Sequence, residues 1–214
     1  MSFVPDLPVI LAFAVATIVL AITPGPDMAL QLSRAINYGR AHGLAALAGA
    51  MSGIMVHTAL VAFGISVLII AAPTAFLVLK IAGAVYLLWL AYQAIVHGGG
   101  LRLADKAGKA PRVVDSYAAG LGINLLNPKV VLFFVTFLPQ FVEAHDSAAT
   151  GKLFFLGAEF VLLSIPLGIV TVFAAAWLAA AFKRSKWVER VLNWSFAGIF
   201  TAFAVTILTA QARH

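Results

Sequence analysis

Two short segments combine helix breakers with an ionisable group inside stretches that are otherwise apolar: Thr23-Pro24-Gly25-Pro26-Asp27 and Asn127-Pro128-Lys129. One carries an acid and the other a base. Hydrocarbon accepts neither a broken backbone nor a charge unless protein or a water-filled cavity surrounds it. A carboxylate held deep, such as Asp27, could bind a substrate ammonium or a proton. The N–H groups at two interrupted helix starts could bind a carboxylate. One acid, one base and two open helix starts together suit a zwitterion such as an amino acid. The bland alternative is a pair of proline kinks whose Asp27 and Lys129 only lock two helices together.

The elements that position these groups follow from backbone chemistry. Proline lacks an N–H and clashes with the preceding turn, so Pro24 and Pro26, with Gly25 between them, break the hydrogen-bond ladder. Pro26 then fits the first position of a new half-helix, and Asp27 falls in its first turn, where the positive end of the dipole favours a carboxylate. Asn127 is a preferred N-cap, Pro128 fits the first position, and Lys129 follows. Lys129 lies at the unfavourable end of that dipole and needs an anionic partner, for which Asp27 is the candidate.

Other polar residues lie within apolar stretches. Gln31 is one turn after Asp27 and could line the same cavity. Asn124 is one turn before Pro128 and could satisfy carbonyls that the proline frees. His57 could relay protons, its ordinary pKa being near 6.5, or make an interhelical hydrogen bond. Glu159 could carry a proton or pair with Lys80 or His57, while Lys80 could instead snorkel outward. Gly49 and Gly53 form a G-x-x-x-G that allows close helix contact, within one protomer or between two.

Composition fixes the class. Of 214 residues, 63% are hydrophobic and 10% charged, against about 25% charged in soluble domains. The reading is a single all-α, polytopic membrane domain over residues 1–214. Six transmembrane helices are expected at roughly 8–33, 43–70, 73–97, 116–142, 151–182 and 187–210, since a crossing needs about 20 apolar residues. The first eight residues hold no basic side chain, so the first apolar stretch is expected to stay as a span. Basic residues cluster in alternate connections: Arg34 and Arg40, then Arg102, Lys106, Lys109 and Arg112, then Lys183, Arg184, Lys186 and Arg190. Such short basic loops stay cytoplasmic, which places both termini outside. The same placement accounts for the net charge of +6 without nucleic acid.

A linker-like segment at 98–115 divides the chain into repeat one, about 1–97, and repeat two, about 116–214; three spans per half insert with opposite orientation. Matching features recur in order: Thr-Pro at 23–24 and Asn-Pro at 127–128, Gly43 and Gly49 with Gly151 and Gly157, Ala82-Gly83 with Ala197-Gly198. They suggest an inverted repeat with broken helices 1 and 4; small residues also recur wherever membrane helices pack.

Several chemistries are excluded or unsupported. There is no Cys, which removes disulfides and thiolate metal sites. No phosphate-cradling loop, metal-ligand spacing or nucleophile–base pair is present, so no enzyme activity, metal or cofactor is expected. Any driving energy would come from an ion gradient, most simply protons.

The chain resembles the LysE/RhtB family of bacterial amino-acid exporters, nearer its homoserine/threonine-efflux branch. The likeness rests on T-P-G-P-D at 23–27, the glycine-spaced second span ending in His57, and Lys80-Ile-Ala-Gly-Ala-Val-Tyr86-Leu. It rests also on Asn127-Pro128-Lys129 followed by Phe-Leu-Pro139-Gln140-Phe141. The resemblance implies an inner-membrane carrier that exports amino acids or close derivatives, with proton antiport. It carries binding roles onto Pro24, Gly25, Pro26, Asp27, Asn127, Pro128 and Lys129, and gives none to Glu159. A homodimer is compatible with so small a carrier, though no motif argues for it. Distant relatives that move cations leave a metal-ion exporter as an alternative, against which Lys129 would repel the cargo. A non-transporting scaffold would leave the broken helices without a purpose.

Overall fold

The structure, a computed structural model, describes residues 3–71, 110–143 and 146–177 without interruption, with single positions between 78 and 96 and between 187 and 205. The secondary structure among the described residues is entirely helical. The first expected span divides into α1 (Leu7–Ile22) and α2 (Pro26–Tyr38). A single long helix follows, α3 (Arg40–Ala71). The fourth expected span divides into α4 (Val113–Leu126) and α5 (Pro128–Leu132), which continues as a π-helical turn (Phe133–Phe137) and a 3-10 turn (Leu138–Phe141). α6 (Ala149–Phe173) carries Pro166 within an unbroken helix. The expected spans at roughly 73–97 and 187–210, with Lys80 and most of the 98–115 linker, lie largely outside the described residues.

Both bent pairs turn by the same angle, 52°, at their breaks. The residues 40–64 of α3 and the whole of α6 are each long and apolar enough to cross a membrane, and each bent pair adds one crossing if taken as a single span. At the first break, Thr23 closes α1 by directing its N–H (3.1 Å) and its hydroxyl (2.6 Å) to the Val19 carbonyl. Thr23, Pro24 and Gly25 then leave the helix, and α2 starts on Pro26. At the second break only Asn127 leaves it.

Packing is tightest where side chains are smallest, as expected when helices associate without a hydrophobic drive from water. A methyl group at Gly49 would run into the Tyr117 carbonyl of α4, and one at Gly53 into the Asn124 side chain. The G-x-x-x-G of α3 therefore seats α4 within the same chain. Beyond the breaks, the π-helical turn contributes Phe133, Phe134 and Phe137 to an aromatic cluster with Phe13, Phe141 and Phe160. Phe133 and Phe137 lie 4.8 Å apart, and Phe13 meets Phe141 edge-on at 5.3 Å. Before α6, Asp146 accepts the Ala148 N–H (2.8 Å) and the Lys152 ammonium (2.7 Å). That hydrogen bond from Lys152 holds its carboxyl below the usual carboxylate range.

Candidate functional site

Proline chemistry makes the site before any side chain enters it. A helix carbonyl accepts from the N–H four residues on, so Pro24 leaves the Leu20 carbonyl without its helical donor and Pro128 does the same to Asn124. These are buried backbone acceptors that need other partners. The Leu20 carbonyl receives the Lys129 ammonium at 2.9 Å, which also donates to the Thr23 carbonyl at 2.9 Å. The Asn124 carbonyl receives the Asn127 N–H at 3.1 Å, with His57 Nε2 at 3.4 Å.

Asp27 is seated by the opposite half of the chain. Asn124 Nδ2 donates to one carboxylate oxygen at 3.2 Å, and Asn127 Nδ2 donates to the other. Asp27 lies in the first turn of α2, at the positive end of that dipole. Lys129 begins α5, which is unfavourable for a cation, but its ammonium reaches the C-terminal end of α1, which is favourable. The partner expected for Lys129 was the Asp27 carboxylate. Its ammonium stays within electrostatic reach of that carboxylate while donating to the carbonyls that the first break leaves bare, and the amides of Asn124 and Asn127 also hold the carboxylate.

The two charged groups line one cavity of about 80 Å³, together with Gly25, Gln31, Asn124 and Asn127. α3 and α6 form most of its remaining walls, with Leu20 and Ala21 of α1, Met28 of α2 and Val130 of α5. Gln31 is buried there. Pro24, Pro26 and Pro128 act through the backbone they interrupt. The second helix start is not open as its spacing suggests, because Asn127 Oδ1 accepts the Lys129 N–H at 3.1 Å. The first start differs in that Gly25 provides no side-chain cap.

His57 and Glu159 are not part of the cavity lining. His57 sits behind it, buried, with its ring 5.9 Å from that of Phe134. It meets the site at the Asn124 carbonyl and lies within electrostatic reach of Asp27. Glu159 has one carboxyl oxygen, Oε2, buried without a hydrogen-bond partner; of its suggested partners, Lys80 lies outside the described residues and His57 directs Nε2 to the Asn124 carbonyl.

Two features were not read as site elements from the sequence. Asn124, expected to satisfy a freed carbonyl, presents the freed carbonyl itself and spends its amide on Asp27. Its spacing of three from Asn127, which puts both amides on one helical face, was the available signal. Ser164 of α6 is buried, lines the cavity, and its hydroxyl has no partner; a serine within an apolar helix gives no comparable signal.

A family model described as LysE type translocator matches residues 18–211. The chain is 27% identical over 209 residues to a homoserine/homoserine lactone efflux protein of Salmonella typhimurium, covering 95% of this chain and 96% of that one. A leucine efflux protein of Klebsiella pneumoniae is 26% identical over 206 residues, covering 94% and 95%. An uncharacterized membrane protein of Vibrio cholerae is 28% identical over 213 residues, covering 97% and 100%. No solved structure gives a significant match.

Proposed function

We propose that this chain, which belongs to the LysE type translocator family, is a secondary-active exporter that moves amino acids or close derivatives out of the cytoplasm in exchange for protons. The observation that carries this reading is one half-buried acid and one half-buried base lining one cavity at two helix breaks. The relatives named as homoserine and leucine efflux proteins support the cargo class.

In this mechanism Asp27 alternates between a proton and the substrate ammonium, and the amides of Asn124 and Asn127 keep its carboxylate aimed into the cavity in both states. The Lys129 ammonium, with the positive end of the α2 dipole, receives the substrate carboxylate. Competition between proton and substrate for one carboxylate couples their movement without further machinery. The equal bends support two inverted halves that rock around this point, the arrangement expected when broken helices meet at mid-membrane. Arg34, Arg40 and Arg112 fall where short basic loops face the cytoplasm, consistent with an inner-membrane carrier whose termini lie outside. Lys129 argues against a metal cation as cargo, because it would repel one.

Asp27→Asn should abolish proton-coupled efflux of labelled amino acids from proteoliposomes carrying a pH gradient, while the variant still inserts and purifies. Full coupled efflux by this variant would remove Asp27 from the mechanism.

A further inference from the structure

The cavity and the aromatic cluster around the π-helical turn lie on opposite sides of the two breaks. Two contacts fix the ends of the molecule. Arg40, which begins α3, holds its guanidinium 4.7 Å above the ring of Phe173, which ends α6. A methyl group at Gly151, near the start of α6, would meet Phe3, which precedes α1. The cavity is lined by residues 47–54 of α3 and 160–171 of α6, so it extends from the breaks toward the Arg40 end. The cluster fills the other side. Phe13 precedes the first break by ten residues, about 15 Å of helix, and Phe133, Phe134 and Phe137 follow the second break. These four rings are fully buried. Phe160 joins the two regions: it lines the cavity and lies 5.7 Å from Phe133 and 5.3 Å from Phe134.

We infer that this aromatic cluster is the outer gate of the carrier, shut in this structure, and that its rings must part to release cargo at the Phe3 end. This rests on the exporter reading, in which the basic Arg40 end faces the cytoplasm, and deepens it. A zwitterion leaving the cavity toward the Phe3 end meets Phe160 first and then the rings of the π-helical turn. Packed rings offer its charges no partner, and a buried charge without one is strongly disfavoured. The turn itself supplies a way to move. π-Helical turns are rare and concentrate at functional sites, and here the Leu138 N–H reaches back five residues to the Phe133 carbonyl. Pro139 has no N–H to give a helix, while the Thr136 hydroxyl holds the Leu132 carbonyl at 2.6 Å and the Gln140 amide holds the Thr136 carbonyl at 2.9 Å. The matching stretch after the first break, α2, is regular as far as Tyr38. Passing from π to α geometry shifts the register by one residue, about 100° around the axis, which would carry Phe137 and Phe141 out of the cluster. The gate also touches the binding site: the Phe134 ring lies 5.9 Å from that of His57, which meets the carbonyl of Asn124, a donor to Asp27.

The chain has no Cys, so a single introduced thiol reports access without background. Met51→Cys places one on the cavity wall. The probe is a membrane-impermeant methanethiosulfonate bearing a trimethylammonium group. It should label Met51→Cys in inverted membrane vesicles, whose cytoplasmic face is outward. In spheroplasts labelling should be at least about ten times slower, since the minor state of a two-state protein is populated at about 0.1–10%. Adding Phe133→Ala should raise the spheroplast rate about tenfold, toward the vesicle rate. Phe133→Leu, which keeps more of the packing volume, should raise it less, and it carries the test if the alanine variant does not insert. Phe63→Ala, on an exposed part of α3 away from the cluster, is the control and should leave the rate unchanged. Spheroplast labelling of Met51→Cys as fast as vesicle labelling or faster, no rise in either Phe133 variant, or the same rise in Phe63→Ala overturns the gate. Labelling as expected in a protein that exports no labelled amino acid from loaded vesicles overturns the exporter reading instead and leaves the shut end standing.

Discussion

The two breaks bend their helices equally, yet they are built differently. The first spreads over Thr23, Pro24 and Gly25, has no side-chain cap, and leaves a Leu20 carbonyl without its helical donor and a half-buried carboxylate at Asp27. The second is confined to Asn127, and its own side chain caps the new helix. The first break has unmet polar needs, and the second meets them through the Lys129 ammonium and the amides of Asn124 and Asn127. Two segments that look like copies in sequence are complementary halves of one site. Binding and release at such a site need not disturb both breaks equally, because one holds the groups that the other must keep satisfied.

The sharpest way to break this contrast is Lys129→Met. It leaves the Leu20 carbonyl without its donor and Asp27 without a nearby cation. Removing one side of a buried charged arrangement costs about 3–5 kcal/mol, so efflux should fall to background and the melting temperature in detergent should drop sharply. Survival of efflux in Lys129→Met would mean that the second break does not serve the first. Asn127→Ala comes next. It removes both the cap of α5, worth about 1 kcal/mol, and a donor to Asp27, for which leaving a buried acceptor short costs roughly 1–3 kcal/mol. Efflux should be reduced but measurable, with the loss in stability smaller than that of Lys129→Met.

Gly53→Ala tests the support behind the second break. The added methyl meets the Asn124 side chain, so the amide must shift away from Asp27, at about 1–3 kcal/mol for overpacking. Gly64, whose added methyl would meet nothing within 4 Å, is the control, and Gly64→Ala should leave both Tm and efflux unchanged or slightly improved. Equal effects at the two positions would show that Asn124 is not held in place by α3. The smallest effect is expected for Gly25→Ala. Gly25 has an extended backbone at φ −168°, and its added methyl would sit 3.7 Å from Lys129 Nζ, an ordinary contact. Stability should rise by no more than about 1 kcal/mol, read as Tm in detergent; a large loss would show that the first break needs glycine for a reason other than space or backbone angle.

Much of this was legible in the chain. Hydropathy marked the membrane-crossing segments, and Pro24, Pro26 and Pro128 marked the points where two of them fail as continuous helices. Gln31, one turn after Asp27, was placed correctly on the cavity from helical period alone. Proline by itself was a less certain guide: Pro166 lies inside α6 without breaking it, because a lone proline removes one hydrogen bond, whereas Pro24-Gly25-Pro26 removes two and adds a residue of low helix propensity. The assignments that depended on partners fared worse. Lys129 was matched to Asp27, whose charge it does feel, but its hydrogen bonds to the Leu20 and Thr23 carbonyls were not foreseen, and Asn124 was matched to a freed carbonyl, because charge and local spacing were the only guides to them.

The sequence by itself therefore determined that this is a membrane protein with two interrupted helices and where the interruptions fall, since hydropathy and the missing proline N–H act within a few residues along the chain. Only the tertiary structure decided who answers the groups left bare. Lys129 and Leu20 are 109 residues apart, and Asn127 and Asp27 are 100. Which donor reaches which acceptor over that distance depends on how closely α3 lets α4 approach, and no local rule carries that information.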